Sequence, residues 1–381
     1  MVSSSDSGRD GTARRGRLMF VLTHSAVGGA QEIWANLAEG FRARGYEVHL
    51  VALYPHREEP VQATLGDLDW IHVRDGKPGS PLDGANVLRG LIGLIRRYRP
   101  DFVLTALPAA NALAPVAAQM SGTGARVILS HHTPVDTYAR MLERIDAFTG
   151  RLPKVHAIVS VSQAVGDSLK ERAAGYRARM KVIRNALPPA IEAHLAGLAA
   201  GREGRAAGRE LVAIGRLAPQ KNYPVLLRAL ARVEDATLTI VGTGPEETEL
   251  KALAAELGLG ARVRFAGQMS RPEALSLLAD SDVFAQPSLF EGHSLALIEA
   301  SKIGVPLLVS NVPAQLEGIT EAGGERRGIA VDPADDAGLA EEIRRLLDDA
   351  AYRVHWTEAS QRLGRSVTFE KTVDAYEALL R

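Results

Sequence analysis

The sequence predicts an α/β protein built from two doubly wound parallel-sheet domains facing each other across a cleft. Three observations predict this. Short apolar runs, of the kind found in strands buried on both faces, alternate with amphipathic helical stretches along most of the chain. The alternation runs twice, broken between residues 190 and 209 by a segment rich in Ala, Gly and Arg with no clear strand. The length, 381 residues with 46% hydrophobic and 24% charged, suffices for two cores.

The first run, LMFVLT at residues 18–23, ends in the turn HSAVGGA. The helix expected over residues 31–44 lines Ile33, Leu37, Ala38 and Phe41 on one face and stops at Gly45. A second strand follows at 47–53, and strands are expected again at 69–73, 102–106, 126–130, 157–161 and 181–184. Helices are expected between them at about 86–98, about 111–120 and from 164, with a helical insertion at about 135–149. The second series places strands at 211–215, 238–241, 263–265, 283–285, 306–309 and 328–331. Strand, helix, strand order of this kind makes parallel sheets with helices on both faces.

The expected domains are therefore residues 18–190 and 208–362, with a last helix within 366–381 crossing back over the first. Residues 1–17 are polar and are expected to be a disordered leader. No apolar run of signal-peptide length follows them, so a cytoplasmic location is expected, and no segment is apolar for long enough to span a bilayer.

Lys and Arg together number 45 and so do Asp and Glu, which leaves no global field for nucleic acid. The same balance weighs against tight membrane attachment, yet local basic patches and peripheral membrane contact stay open. The absence of cysteine excludes disulfides, thiolate nucleophiles and cysteine metal sites.

Doubly wound sheets bind ligands at the carboxyl ends of their strands, so the loops after strands carry the chemistry. Gly28 and Gly29 let a ligand approach the backbone before a helix N-terminus, or make a plain tight turn. They lack the third glycine of the dinucleotide fingerprint. In His131-His132-Thr133-Pro134 a histidine either bonds a ligand hydroxyl and moves a proton, or caps a backbone carbonyl. In GRLAPQKN, Arg216 can fork across two phosphate oxygens while Lys221 offers a point charge to the same group. VGTGPE gives another glycine turn, with Pro245 at the first turn of the next helix. Gly267 and Gln268 can present backbone groups to the edge of a base. Asp280 and Asp282 have the spacing of a metal-binding pair but precede a strand, so they are read as solvent-exposed helix termination and no metal is expected.

The segment QPSLFEGHSLALIEASKIGVPLLV gathers the most. Residues Gly292, His293, Ser294 and Leu295 are expected to begin a helix whose free amides and dipole favour an anion. Glu291 is expected at the loop mouth, with Glu299 about two turns further along on much the same face. Beside an anion these carboxylates must be held by hydroxyls or amides, because bare they would repel it.

In their order, GGAQE, SHHTP, VSVSQAV, VIRNAL, GRLAPQKN, VGTGPE, FAGQ and PSLFEGHSLALIEASKIGVPLLVS resemble the motifs of the retaining glycosyltransferases of family 4. That resemblance covers almost the whole chain. It implies the GT-B fold of two Rossmann-like domains and transfer of a sugar from a nucleotide-diphosphate donor, UDP-linked in this reading, to a hydroxyl of a polyhydroxylated acceptor. The anomeric configuration is kept, and neither cofactor nor metal is needed. The implied roles follow the motifs: Arg216 and Lys221 on the diphosphate with the amides of Gly292 to Leu295, Glu299 on the ribose, and Glu291 on the donor sugar. His132 is implied to contact the donor sugar near the acceptor, with His131 as the alternative, and Gly28 and Gly29 closing over the diphosphate. The 135–149 insertion, with Asp136, Tyr138 and Arg140, is expected to line the acceptor site. Small molecules, glycans and lipid-linked sugars all fit as acceptors.

Two departures stand out. Asn185-Ala186 replaces an Asn-Gly, against a left-handed turn there, and His293 stands where an aromatic or small residue is common. No carboxylate is marked as an opposite-face nucleophile, which favours a front-face route driven by charge stabilisation. A nucleotide-sugar epimerase and a non-catalytic sugar-binding protein are the competing readings.

Overall fold

The computed structural model describes residues 15–25, 29–55, 68–202, 204–321, 323–365 and 368–381. Two parallel sheets carry the fold. The first contains β1 (Arg17–His24), β2 (Glu47–Tyr54), β3 (Trp70–His72), β4 (Phe102–Ala106), β5 (Arg126–His131), β6 (Val155–Ser160) and β7 (Met180–Val182), in the order β3-β2-β1-β4-β5-β6-β7. The second contains β8 (Glu210–Ile214), β9 (Thr237–Val241), β10 (Val263–Gly267), β11 (Val283–Gln286), β12 (Leu307–Ser310) and β13 (Ile329–Val331), in the order β10-β9-β8-β11-β12-β13. Each strand falls where its apolar run predicts it.

The reason for the continuous apolar runs is visible in the second sheet. Leu211, Ala213, Leu238, Ile240, Val283 and Ala285 pack into one core, while Val212, Val241, Phe284, Leu307 and Val309 pack into the core on the opposite face. Successive side chains point to opposite faces, and helices cover both, so most positions are apolar. In the first sheet Phe20 meets Trp34 edge-on at 5.9 Å between ring centroids, locking β1 to the helix Gly29–Ala43.

Of the described residues, those up to 130 with 144–158 and 380 form one compact unit, and those at 131–143, 159–379 and 381 form another. Among the described residues no helix is long and apolar enough to cross a membrane.

Several boundaries differ from expectation for local reasons. The helix expected from about residue 86 begins earlier, spanning Pro81–Tyr98, because Ser80 caps it and Asp83 returns the bond in a capping box. The 135–149 insertion is a 3₁₀ turn, Val135–Thr137, then an extended Tyr138 and the helix Arg140–Thr149. The Ala-rich segment after residue 188 has no strand, as expected, but its first part is the helix Pro189–Gly201. The last helix, Phe369–Ala378, donates a hydrogen bond from Thr372 Oγ1 to the carbonyl of Arg184 at 3.1 Å, just beyond β7. Pro245 lies before the N-cap residue Glu246 of the helix Glu247–Glu256, not in its first turn.

Asp282 is a larger correction. Only 2% exposed, it is no solvent-facing helix end. Its carboxylate accepts hydrogen bonds from Arg205 at 2.8 Å and from the amides of Gly208 at 3.0 Å and Glu210 at 2.9 Å. Arg202 donates to the carbonyls of Ala279 and Ser281. These bonds anchor the chain leading into β8.

Candidate active site

In the second sheet the strand order reverses direction between β8 and β11, which lie side by side. A crevice opens at such a reversal, because the loops leaving the two strands diverge to opposite faces. The loops here are GRLAPQKN, after β8, and PSLFEGHS, after β11.

The first loop is held by close backbone packing. A Cβ on Gly242 would fall 2.1 Å from the carbonyl oxygen of Gly215, and one on Gly244 would fall 2.2 Å from that of Leu217. The two glycines of VGTG therefore serve to let this loop lie against them, with Leu217 N donating to Thr243 O at 3.0 Å. Arg216 emerges exposed, and among the described residues it makes no side-chain hydrogen bond or ion pair. A 3₁₀ turn, Pro219–Lys221, follows, and Asn222 takes a left-handed conformation at φ 54°. Its side-chain amide donates to the carbonyls of Pro287 at 3.1 Å and Pro333 at 2.8 Å. Gln220 completes the seam, donating to Phe290 O at 3.0 Å while its own carbonyl accepts from Leu289 N.

This seam brings Lys221 Nζ to 2.7 Å from Glu291 Oε1, with side chains 16% and 8% exposed. Ser288 Oγ donates to the same oxygen at 2.7 Å. Among the described residues Glu291 Oε2 accepts no hydrogen bond, so the carboxylate is anchored at one oxygen and open at the other. Burial and the nearby Glu291 charge raise the pKa of Tyr223, whose hydroxyl donates to Gly215 O at 3.0 Å.

The helix after β11 does not begin at Gly292. It spans Leu295–Ile303, with Ser294 as N-cap accepting from Leu297 N at 3.3 Å. Gly292 has another duty: a Cβ there would lie 1.8 Å from the carbonyl oxygen of His132, so only glycine lets SHHTP approach this loop. The shared helical face expected for Glu291 and Glu299 is not formed, since Glu291 stands in the loop before the helix. Glu299 lies within the helix, 7% exposed, and pairs with Arg271 Nη2 at 2.5 Å. Burial raises its pKa, and Arg271 partly offsets this.

The two histidines of SHHTP differ. His131 is fully buried, with Nδ1 3.2 Å from the Tyr138 hydroxyl and Nε2 2.9 Å from the Tyr176 hydroxyl. That double anchor makes it a structural residue. His132 is half-buried, and burial, with His131 beside it, lowers its pKa to about 3, so it is neutral at pH 7. His293 is lowered to about 4, first by burial and then by Arg184, against the opposing pull of Glu317. Its Nδ1 is buried and makes no hydrogen bond among the described residues, and its carbonyl accepts from Asn185 Nδ2 at 3.3 Å. Ala186 has no positive φ, so no left-handed turn forms at Asn185-Ala186.

Gly267 ends β10 at φ 68°, and its carbonyl accepts from Gly242 N at 2.8 Å, which occupies one of the groups expected to meet a base. Gln268 is exposed. Gly29 opens the helix after β1, in the other compact unit, and Gly28 lies outside the described residues. Among the described residues no three His, Asp or Glu side chains gather to hold a metal ion.

The structure thus joins Lys221, Glu291, Gly292 and the His132 backbone, with Arg216 earlier on the Lys221 loop. Sequence reasoning missed Ser288, Asn222 and Arg271. Asn222 carried a signal, since Asn tolerates the left-handed conformation best after glycine. Arg271 carried none, because its partner is 28 positions away. Chemically, the arrangement offers an exposed guanidinium, an ammonium held by a carboxylate, and a carboxylate oxygen ready to accept a hydroxyl.

Comparison with known proteins bears on the fold and the family. The family model described as Glycosyltransferase Family 4 matches residues 27–190, and the one described as Glycosyl transferases group 1 matches residues 205–363. The lipopolysaccharide core biosynthesis glycosyltransferase LpsD of Rhizobium meliloti is 33% identical over 60% of this chain and 64% of its own length. A glycogen synthase of Mycobacterium tuberculosis is 30% identical over 57% of this chain and 50% of its own. The matches thus span between half and two thirds of these relatives. Among solved structures, HepE of Anabaena in complex with UDP-glucose superposes with a TM-score of 0.77 at 17% identity, covering 96% of this chain and 99% of that one. Sucrose-phosphate synthase of Thermosynechococcus elongatus gives 0.78 at 19% identity, covering 96% and 98%. The fold is GT-B, and with both of its halves matched the chain belongs to the group 1 glycosyltransferases.

Proposed function

We propose that this protein is a glycosyltransferase that moves a sugar from a nucleotide-diphosphate donor, UDP-linked, to an acceptor hydroxyl with retention of anomeric configuration. The observation that carries this reading is an exposed Arg216, without a side-chain partner among the described residues, on the same loop as Lys221, whose ion pair with Glu291 joins the two loops at the strand-order reversal. Departure of a nucleoside diphosphate builds negative charge on the leaving phosphate. Cations there lower the barrier, and Lys221, held by Glu291, needs little reorganisation at the moment of reaction. Arg216 supplies the fork and Lys221 the point charge.

Glu291 is anchored by Lys221 and Ser288 at Oε1, which leaves Oε2 to accept a hydroxyl of the donor sugar. Glu299 is the carboxylate for the ribose, shared with Arg271. His132, neutral at pH 7, acts as a hydrogen-bonding group near the acceptor and not as a cation. Backbone amides of Gly292 to Leu295 add to phosphate binding. The acceptor oxygen attacks the anomeric carbon as the bond to the phosphate breaks on the same face, and the leaving phosphate takes the acceptor proton, so no enzyme nucleophile takes part; Arg216 and Lys221 take the charge-neutralising role that a metal would otherwise fill. The reaction is placed in the cytoplasm. The choice of UDP is supported by HepE, whose structure was solved with UDP-glucose.

The test screens UDP-, GDP- and ADP-sugars by thermal shift, then an acceptor panel by mass spectrometry, with product anomers assigned by NMR. Arg216→Ala and Lys221→Ala are each expected to lower turnover by about 10²-fold or more. Unchanged turnover in both variants would falsify the diphosphate assignment. A new epimer formed without acceptor would replace transfer with epimerisation.

A further inference from the structure

The helix Arg140–Thr149 turns an apolar ridge to solvent. Met141 is 71% exposed, Ile145 37% and Phe148 66%. Positions i, i+4 and i+7 align on one face, and a helix in a soluble domain ordinarily buries such a face. Arg140 and Arg144 each precede a ridge residue by one position, so they form a second exposed row beside the first. Arg151 continues that row just past the helix end. None of the three arginines makes a side-chain hydrogen bond or ion pair among the described residues.

The acids of this helix point elsewhere. Asp146 is 1% exposed, and Glu143 pairs with Arg172 at 3.3 Å. The ridge and the row beside it are therefore apolar and cationic, with Glu143, 37% exposed, on the opposite side of the helix, on a chain whose net charge is zero. The whole-chain balance hides a strongly one-signed local patch.

We propose that this face is a membrane-surface contact that docks on anionic lipid, with Met141, Ile145 and Phe148 entering the headgroup boundary and the three arginines meeting lipid phosphates. Charge complementarity selects this occupant. An apolar ridge lined by cations along one side matches an interface that is apolar below and anionic above. A second copy of the chain fits poorly. Three side chains offer far less than the roughly 800 Å² per partner of a stable interface, and a two-fold contact would set arginines against arginines. A helix of 10 residues, about 15 Å long, gives shallow and reversible binding, not insertion.

The test is co-sedimentation of the full chain with vesicles of phosphatidylcholine alone and of phosphatidylcholine mixed with phosphatidylglycerol. Binding is expected only to the anionic vesicles and should fall at high salt. Met141→Ser with Phe148→Ser, and separately Arg140→Gln with Arg144→Gln and Arg151→Gln, should each lower the partition coefficient by about tenfold or more. Circular dichroism and the melting temperature of each variant are read alongside. As a second measurement that keeps the ridge apolar, Phe148→Trp should add a blue-shifted emission component, quenched by brominated lipid, on adding anionic vesicles. Three results overturn the proposal: no binding to anionic vesicles, binding that folded variants retain in full, or a dimer by light scattering that Met141→Ser with Phe148→Ser dissolves. The last would assign the face to a second copy.

Discussion

Lys221 and Glu291 hold each other out of water, with Ser288 as the third member. Removing the cation leaves a buried carboxylate with one hydroxyl donor, a loss on the order of 3 kcal/mol. Lys221→Met should therefore lower the free energy of unfolding in urea by about that amount. Adding Glu291→Gln should recover most of it, because a neutral amide no longer needs a counter-charge, while turnover stays low in both. A Lys221→Met protein as stable as wild type would show that the pair contributes nothing to folding. The residue types at this site were legible in the sequence: cations and glycines in strand-end loops, and acids in an apolar segment. Their pairing was not, because Lys221 and Glu291 lie 70 positions apart and meet only through packing of β8 beside β11.

At the scale of elements, strands were legible because burial on both faces leaves an unbroken apolar run, which is a local property of the chain. Helix starts were less so. Gly292 precedes a helix that begins at Leu295, since Gly292 is used for contact with His132 and Ser294 supplies the cap. Asp282 shows the same limit: next to a helix end it reads as exposed, yet it fastens the segment that leads into β8. Asp282→Ala leaves two amides and Arg205 without their acceptor and should cost about 3 kcal/mol in urea denaturation. Arg205→Ala should cost less, because that side chain is 27% exposed and water replaces part of its bond. Equal losses in the two variants would contradict the view that the backbone amides carry most of the effect.

For the molecule as a whole, pH dependence is where separate sites add up. His132 and His293 have pKa values lowered to about 3 and about 4, so in the folded protein both stay neutral well below the ordinary value of 6.5. The unfolded chain takes up those protons first. Their contribution to stability is therefore complete above pH 6.5 and is lost as pH falls from there toward the two folded values. Glu299, raised by burial, acts in the opposite sense, since it binds its proton more readily when folded. Melting temperature measured from about pH 7 to about pH 4 should fall, and His132→Gln with His293→Gln should flatten the curve. An unchanged slope would mean that neither histidine is held neutral by burial.

Sequence alone determined the class of fold, two series of parallel strands, and the loops on which a site had to lie. Those follow from apolar period, glycine position and strand order, each of which can be read within a short window. Tertiary structure alone decided which acid meets which cation, and that His131 is fixed between two tyrosines while His132 approaches Gly292. These depend on contacts between distant segments, and local sequence carries no record of which partners packing brings together.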